Sequence, residues 1–264
     1  MRYIFTVLLL VLFRSQALPS VAVNNGLLHL YDVQPGGVYT GIIELQNVGK
    51  QTQPVRFSLN DYCTNASGTT SFDEAGSNAR SCAPWISLSQ DLLKLNGQEL
   101  LKVAYEIRVP ENFNGQGSYW SVIIVEPVSD IDSASIKKNM VGILSVTRYA
   151  IQVICHLGES GKKSVRFQHV EVERTTEGTT CFVDLENTGE RYMRPVIELQ
   201  FFSEDGVEAG VFKGIDQGLF PACSNRFPVD VTKLPPGNYK VVVLADCGKE
   251  DVFGTNLSLT VKDD

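Results

Sequence analysis

The stretch Met140-Val-Gly-Ile-Leu-Ser-Val-Thr-Arg-Tyr-Ala-Ile-Gln-Val-Ile154 decides the reading of this chain. Ile, Val, Thr and Tyr fill it and Pro is absent, the composition of a strand. At strand rise it would reach roughly 45–50 Å, well beyond a strand of ordinary length. A strand of that reach can close one sheet and run on as the spine into a second domain.

Outward from it, short segments alternate apolar and polar residues with period two. Ile43 and Leu45 alternate with Glu44 and Gln46, and Val55, Phe57 and Leu59 with Arg56, Ser58 and Asn60. Val103, Tyr105, Ile107 and Val109 repeat the pattern. Such alternation is that of half-buried antiparallel sheet. Further strands are expected at Leu27–Leu30, Ser118–Val125, Val165–Glu173, Thr179–Glu186, Pro195–Phe202, Val207–Phe212, Asn225–Val231, Tyr239–Ala245 and Leu257–Val261. Turn residues separate them, and no amphipathic helix of normal length interrupts the series, which predicts β-sandwiches.

Two segments are written twice. Glu44-Leu-Gln-Asn-Val-Gly49 matches Asp184-Leu-Glu-Asn-Thr-Gly189, each followed by a Pro-Val pair that opens a strand. Gly117-Ser-Tyr119 matches Gly237-Asn-Tyr239 in the same order. The spacing between copies differs by about the size of the polar excursion Asp61 to Ala83, as expected if one copy gained an insertion. The fold class is therefore all-β: two consecutive immunoglobulin-like sandwiches, over residues 18–156 and 157–264. In such sandwiches a Tyr after Gly suits a corner where its hydroxyl reaches backbone.

Residues 1–17 read as a cleaved signal peptide. Arg2 precedes an apolar run from Tyr3 to Phe13, and Ser15-Gln-Ala17 places small residues at a cleavage site. The run is about half the ~20 residues that span a bilayer. The expected location is thus periplasmic or secreted, with no stable membrane insertion.

An exported chain meets an oxidising compartment, so its six cysteines are expected in disulfides. Cys63 and Cys82 bracket the excursion and are expected to staple its base, contributing ~3 kcal/mol. Cys155, Cys181, Cys223 and Cys247 allow three connectivities. An immunoglobulin-like strand order favours Cys223–Cys247, leaving Cys155–Cys181.

A net charge of −7 excludes a phosphate-backbone binder, which needs clustered Lys and Arg. No nucleophile elbow, zinc-protease helix or phosphate loop appears. His29, His156 and His169 are scattered along the chain, and Cys155-His156, neighbours on a strand, point to opposite faces. Asp130-Ile-Asp132-Ser-Ala-Ser135 lacks the Gly and Glu of a calcium loop. Asn65-Ala-Ser67 and Asn256-Leu-Ser258 fit a glycosylation pattern that matters only in a eukaryotic secretory pathway. No enzyme, cofactor or metal site is expected.

Two sandwiches behind a leader, with Tyr119-Trp-Ser-Val-Ile-Ile124 before the long strand, resemble the PapD-like periplasmic pilus chaperones. The resemblance implies that the long strand is lent to a pilin-like subunit to complete its sheet. It also implies that two basic residues between the domains hold the subunit's carboxylate. Here the first strand offers His29 where Arg is expected, and Arg148 could supply one charge. A second resemblance is to bacterial surface proteins that accompany WxL proteins and bind peptidoglycan or host ligands. It rests on Val33-Gln-Pro-Gly-Gly37, Leu45-Gln-Asn47, Cys63-Thr-Asn-Ala-Ser-Gly68 and Arg108-Val-Pro-Glu-Asn-Phe-Asn-Gly115.

The functional expectation is an exported, non-enzymatic protein-binding factor, chaperone-like in assembly of pilus or surface subunits by β-strand addition. The alternative is a secreted or cell-surface adhesion or wall-binding module. The residues expected to meet the partner are Val141, Ile143, Leu144, Ser145, Val146 and Arg148. An edge there is one reading; a strand paired on both sides, long because it bridges two domains, is the other.

Overall fold

A computed structural model describes residues 21–128, 147–176 and 178–262. Among the described residues, ten strands build the first sandwich. They are β1 (Val21–Val23), β2 (Leu28–Val33), β3 (Val38–Asn47), β4 (Gln53–Thr64), β5 (Thr70–Glu74), β6 (Ile86–Leu88), β7 (Leu92–Leu95), β8 (Leu100–Arg108), β9 (Ser118–Pro127) and β10 (Tyr149–Leu157). One sheet runs β1-β3-β8-β6 and the other β2-β10-β9-β4-β5, with β7 also paired to β4. The period-two alternation turns Ile43, Leu45, Val103, Tyr105 and Ile107 from the first sheet, and Val55, Phe57, Ile123 and Val125 from the second, into one core.

Seven more strands build the second sandwich: β11 (Val165–Thr175), β12 (Gly178–Asn187), β13 (Val196–Phe202), β14 (Glu208–Lys213), β15 (Ser224–Asp230), β16 (Gly237–Asp246) and β17 (Val252–Val261). Their sheets run β11-β12-β15 and β14-β13-β16-β17. Val183 and Leu185 of one face Leu199, Phe201, Val241 and Val243 of the other. The chain is thus all-β, two consecutive immunoglobulin-like sandwiches.

At the corner before β16 the Tyr239 hydroxyl donates to the Pro235 carbonyl at 2.7 Å, the corner contact expected of that position. Tyr119 behaves differently. Its ring packs against Trp85 and Phe113, with the Arg80 guanidinium over its face. The first sandwich has one tighter fit: a Cβ on Gly41 would collide with the Tyr105 ring that crosses it. Glycine at 41 lets Tyr105 reach between the sheets to β2.

The polar excursion is itself sheet. β4 continues to Thr64 and pairs with β5, Cys63 opposite Ser71. A buried carboxylate anchors its base: Asp61 accepts from Ser81 Oγ at 2.5 Å, the Asn78 N–H at 2.7 Å and Ser121 Oγ at 3.1 Å. No Cys63–Cys82 staple is present.

Cys63 is instead bonded to Cys223, tying the excursion to the second sandwich. The expected pairings Cys63–Cys82, Cys155–Cys181 and Cys223–Cys247 are all corrected by this. Cys155 faces the first core and Cys181 the second, so no bond can join them without dismantling both. Cys223 lies in the seam between the sandwiches, while Cys247 packs at the end of β16 in the second core. Cys82, Cys155, Cys181 and Cys247 are buried thiols.

Candidate functional site: the open side of β10 and the interdomain seam

Of the decisive stretch, residues 147–154 are described, and the strand begins at Tyr149. Val141, Ile143, Leu144, Ser145 and Val146 lie outside the described residues. From Gln152 to His156 the strand is internal, parallel to β2 on one side and antiparallel to β9 on the other. Those five residues are paired on both sides.

Tyr149, Ala150 and Ile151 are different. They pair with Val125, Ile124 and Ile123 of β9, but β2 first reaches β10 at Gln152, where the Leu27 carbonyl accepts the Gln152 N–H at 2.8 Å. The segment before β2 has left this sheet: β1 pairs with Leu45–Asn47 of β3 in the opposite sheet. The switch follows from Asn24-Asn25-Gly26, whose glycine has φ +84° and breaks the strand. Asn25 locks the crossing, accepting from the Glu44 N–H and donating to the Ile42 carbonyl. On the side away from β9, no described strand covers Tyr149–Ile151. Because Gln152 aims its N–H at β2, strand alternation aims the N–H and C=O of Ala150 to that open side.

Flanking side chains steady this end. Tyr149 donates its hydroxyl to the Val21 carbonyl at 2.9 Å, bridging the sheets. Arg148 pairs with Glu126 at 2.6 Å, its side chain two-thirds exposed. His29 sits elsewhere, opposite Val153, with Nδ1 2.6 Å from the Tyr105 hydroxyl, which in turn meets Tyr31 at 2.7 Å. Burial holds His29 below its ordinary pKa of 6.5. His29 and Arg148 therefore do not form a two-cation clasp.

The far end of β10 enters the seam. Ile151, Val153, Cys155 and Leu157 face the first core, whereas Ile154 packs with Trp120, Tyr192, Phe220 and Cys223 between the sandwiches. Trp120 lies 5.0 Å from the Phe220 ring and Tyr192 4.8 Å from it, contacts of about 1 kcal/mol each beyond simple burial. The Trp120 indole donates to the Tyr62 carbonyl at 2.6 Å. Gly117, at φ +79°, leaves room for the Glu190 carbonyl against its Cα, and Arg80 reaches Glu190 across the seam. His156 faces the Tyr192 ring, and its Nδ1 is 2.8 Å from Ser118 Oγ. The same oxygen accepts the Tyr192 N–H at 2.8 Å, joining the two sandwiches. Burial first, then the Arg191 charge, lower the His156 pKa.

The three histidines occupy three separate settings, since His169 lies on β11 beside Glu171. Among the described residues no group of three His, Cys, Asp or Glu could hold a metal ion, and no helix is long and apolar enough to cross a membrane. Asp130, Asp132 and Ser135 lie outside the described residues. Asn65 is exposed, its side-chain carbonyl accepting from Ser67.

The open side of Tyr149–Ile151 is not legible in the strand's own residues. It depends on β1, whose short run Val21-Ala-Val23 ahead of Asn-Asn-Gly was the available signal.

No family model and no curated protein matches this chain. Many of the solved structures similar to it are PapD-like periplasmic pilus chaperones. One is a chaperone–tip adhesin complex of CFA/I fimbriae biogenesis, with 8% identity, 91% of this chain and 97% of that chain covered, and TM-score 0.47. Another is the CsuC–CsuE chaperone–tip adhesion subunit pre-assembly complex of Acinetobacter baumannii, with 12% identity, 89% and 97% covered, and TM-score 0.46. A third is the class 5 fimbriae chaperone CfaA, with 10% identity, 92% and 99% covered, and TM-score 0.45. At these values the likeness says nothing of what this chain itself binds.

Proposed function

We propose that this chain is an exported, non-enzymatic protein-binding factor. It acts chaperone-like in assembly of pilus or surface subunits, by adding β10 and the residues before it to a partner's sheet. One observation carries the reading: Tyr149–Ile151 is paired on β9 and uncovered by any described strand on its other side. Unpaired N–H and C=O groups on a strand edge recruit another strand unless charge, Pro or a bulge blunts them. From Val141 to Ala150 the sequence carries one charge, Arg148, and no Pro. Glu126 neutralises that charge, and it sits on β9, the covered side.

The partner class is a protein chain that lacks a strand, such as a pilin-like subunit. Purification of the full chain from an exporting host, with identification of the bound material, tests the reading. A co-purifying incomplete subunit supports it; cell-wall fragments or an intact surface receptor support the adhesion or wall-binding alternative instead. The edge itself is tested with Ala150→Pro, which removes an N–H on the open side, and with Ile143→Pro and Ser145→Pro. Lost binding with an unchanged thermal midpoint is expected. Unfolding together with lost binding would show that the strand is internal there.

A further inference from the structure

Two cysteines that the interdomain bond does not use lie together in the first sandwich. Cys82 ends the excursion, and its N–H is held by the Trp120 carbonyl at 3.2 Å. Its Sγ is 3.6 Å from the Val153 carbonyl. Val153 and Cys155 project from the same face of β10 into the same core, and Cys82 and Cys155 are both wholly buried there. Two residues of strand advance about 6.5 Å, so a sulfur against Val153 is within side-chain reach of Cys155. Burial first, and then the neighbouring Cys155, push the Cys82 thiol well up.

We propose that in the oxidised protein Cys82 and Cys155 close a second disulfide, tying the 61–83 excursion directly to β10. The reaction belongs to folding, before burial, because the attacking species is a thiolate and neither sulfur meets solvent in the native core. One thiolate attacks a disulfide oxidant, either oxidised glutathione or an oxidised dithiol oxidase. The S–S bond of the oxidant breaks, a mixed disulfide forms and one oxidant thiol leaves. The second cysteine, as its thiolate, then attacks the protein sulfur of that mixed disulfide and expels the other oxidant thiol. Two cysteines lose two electrons and two protons, and the oxidant carries both away as two thiols. The inference goes beyond the proposed function and does not depend on any partner.

The test uses the full chain, reduced, unfolded and refolded in a glutathione redox buffer, then alkylated under denaturing conditions and digested without reduction. A peptide pair joining Cys82 to Cys155 is expected beside the Cys63–Cys223 pair, with Cys181 and Cys247 alkylated. Alkylation of both Cys82 and Cys155 in chains that carry the Cys63–Cys223 bond would overturn the proposal. The double variant Cys63→Ser, Cys223→Ser guards against scrambling. It must still yield the Cys82–Cys155 pair, and failure to do so in folded material would also overturn it.

Discussion

Asn47 and Asn187 make the same hydrogen bonds in the two sandwiches. Each lies at the end of a strand and is wholly buried. Asn47 donates Nδ2–H to the Gln51 and Leu95 carbonyls at 2.8 and 3.1 Å, and its Oδ1 accepts the Gly49 N–H at 2.9 Å. Asn187 donates to the Arg191 and Leu219 carbonyls at 2.8 and 3.0 Å and accepts the Gly189 N–H at 2.9 Å. The repeated Asn-x-Gly is therefore a corner lock: the side chain ties a carbonyl of its own turn to a buried carbonyl distant in sequence.

Truncating either asparagine should destabilise its sandwich by a similar amount. Asn47→Ala or Asn187→Ala leaves one buried and one part-buried carbonyl without that donor, at a cost of about 1–3 kcal/mol. Urea unfolding of each variant measures it. A midpoint unchanged from the parent in either variant would show that water or a neighbour takes over the amide's role.

The Cys63–Cys223 bond spans 160 residues of sequence, so it restricts the unfolded chain strongly. The chain-entropy relation gives about 5 kcal/mol for a loop of that size. The double variant Cys63→Ser, Cys223→Ser should therefore unfold at markedly lower denaturant. It should also expose the seam around Trp120 and Phe220, seen as faster proteolysis between the sandwiches. Equal midpoints for variant and parent would contradict this.

Acid should weaken the seam through His156. Its folded pKa lies below the unfolded value of 6.5, because burial and Arg191 disfavour the imidazolium more than Asp32 and Glu159 favour it. A depressed pKa contributes stability that is complete above the unfolded value and is lost as pH falls through the folded one. His29, lowered by its own burial, adds to the same trend. Thermal midpoints should fall as pH drops below about 6.5, and His156→Gln should flatten that fall. A variant with the parent's full pH slope would place the titration elsewhere.

The sequence by itself determined the class of fold and much of its grammar. Alternation along Val38–Asn47 and Leu100–Arg108 is enough to say which side chains enter a core, because strand geometry sends successive residues to opposite faces. The Asn-x-Gly copies marked equivalent corners for a local reason: the side chain bonds backbone within four residues, at Gln51 and Arg191. Even the separation of Cys155 from His156 was local, one facing the first core and the other the seam.

What only the tertiary structure decided is which distant segments lie beside one another. Cys63 meets Cys223 because the β4–β5 hairpin folds toward the second sandwich, and nothing near either cysteine in sequence encodes that direction. The open side of Tyr149–Ile151 is likewise a property of β1, which leaves the sheet more than a hundred residues earlier in the chain. An edge is defined by the neighbour that is missing. Residues along a strand record which face is apolar, but its hydrogen-bonding sides are backbone and look the same in every sequence.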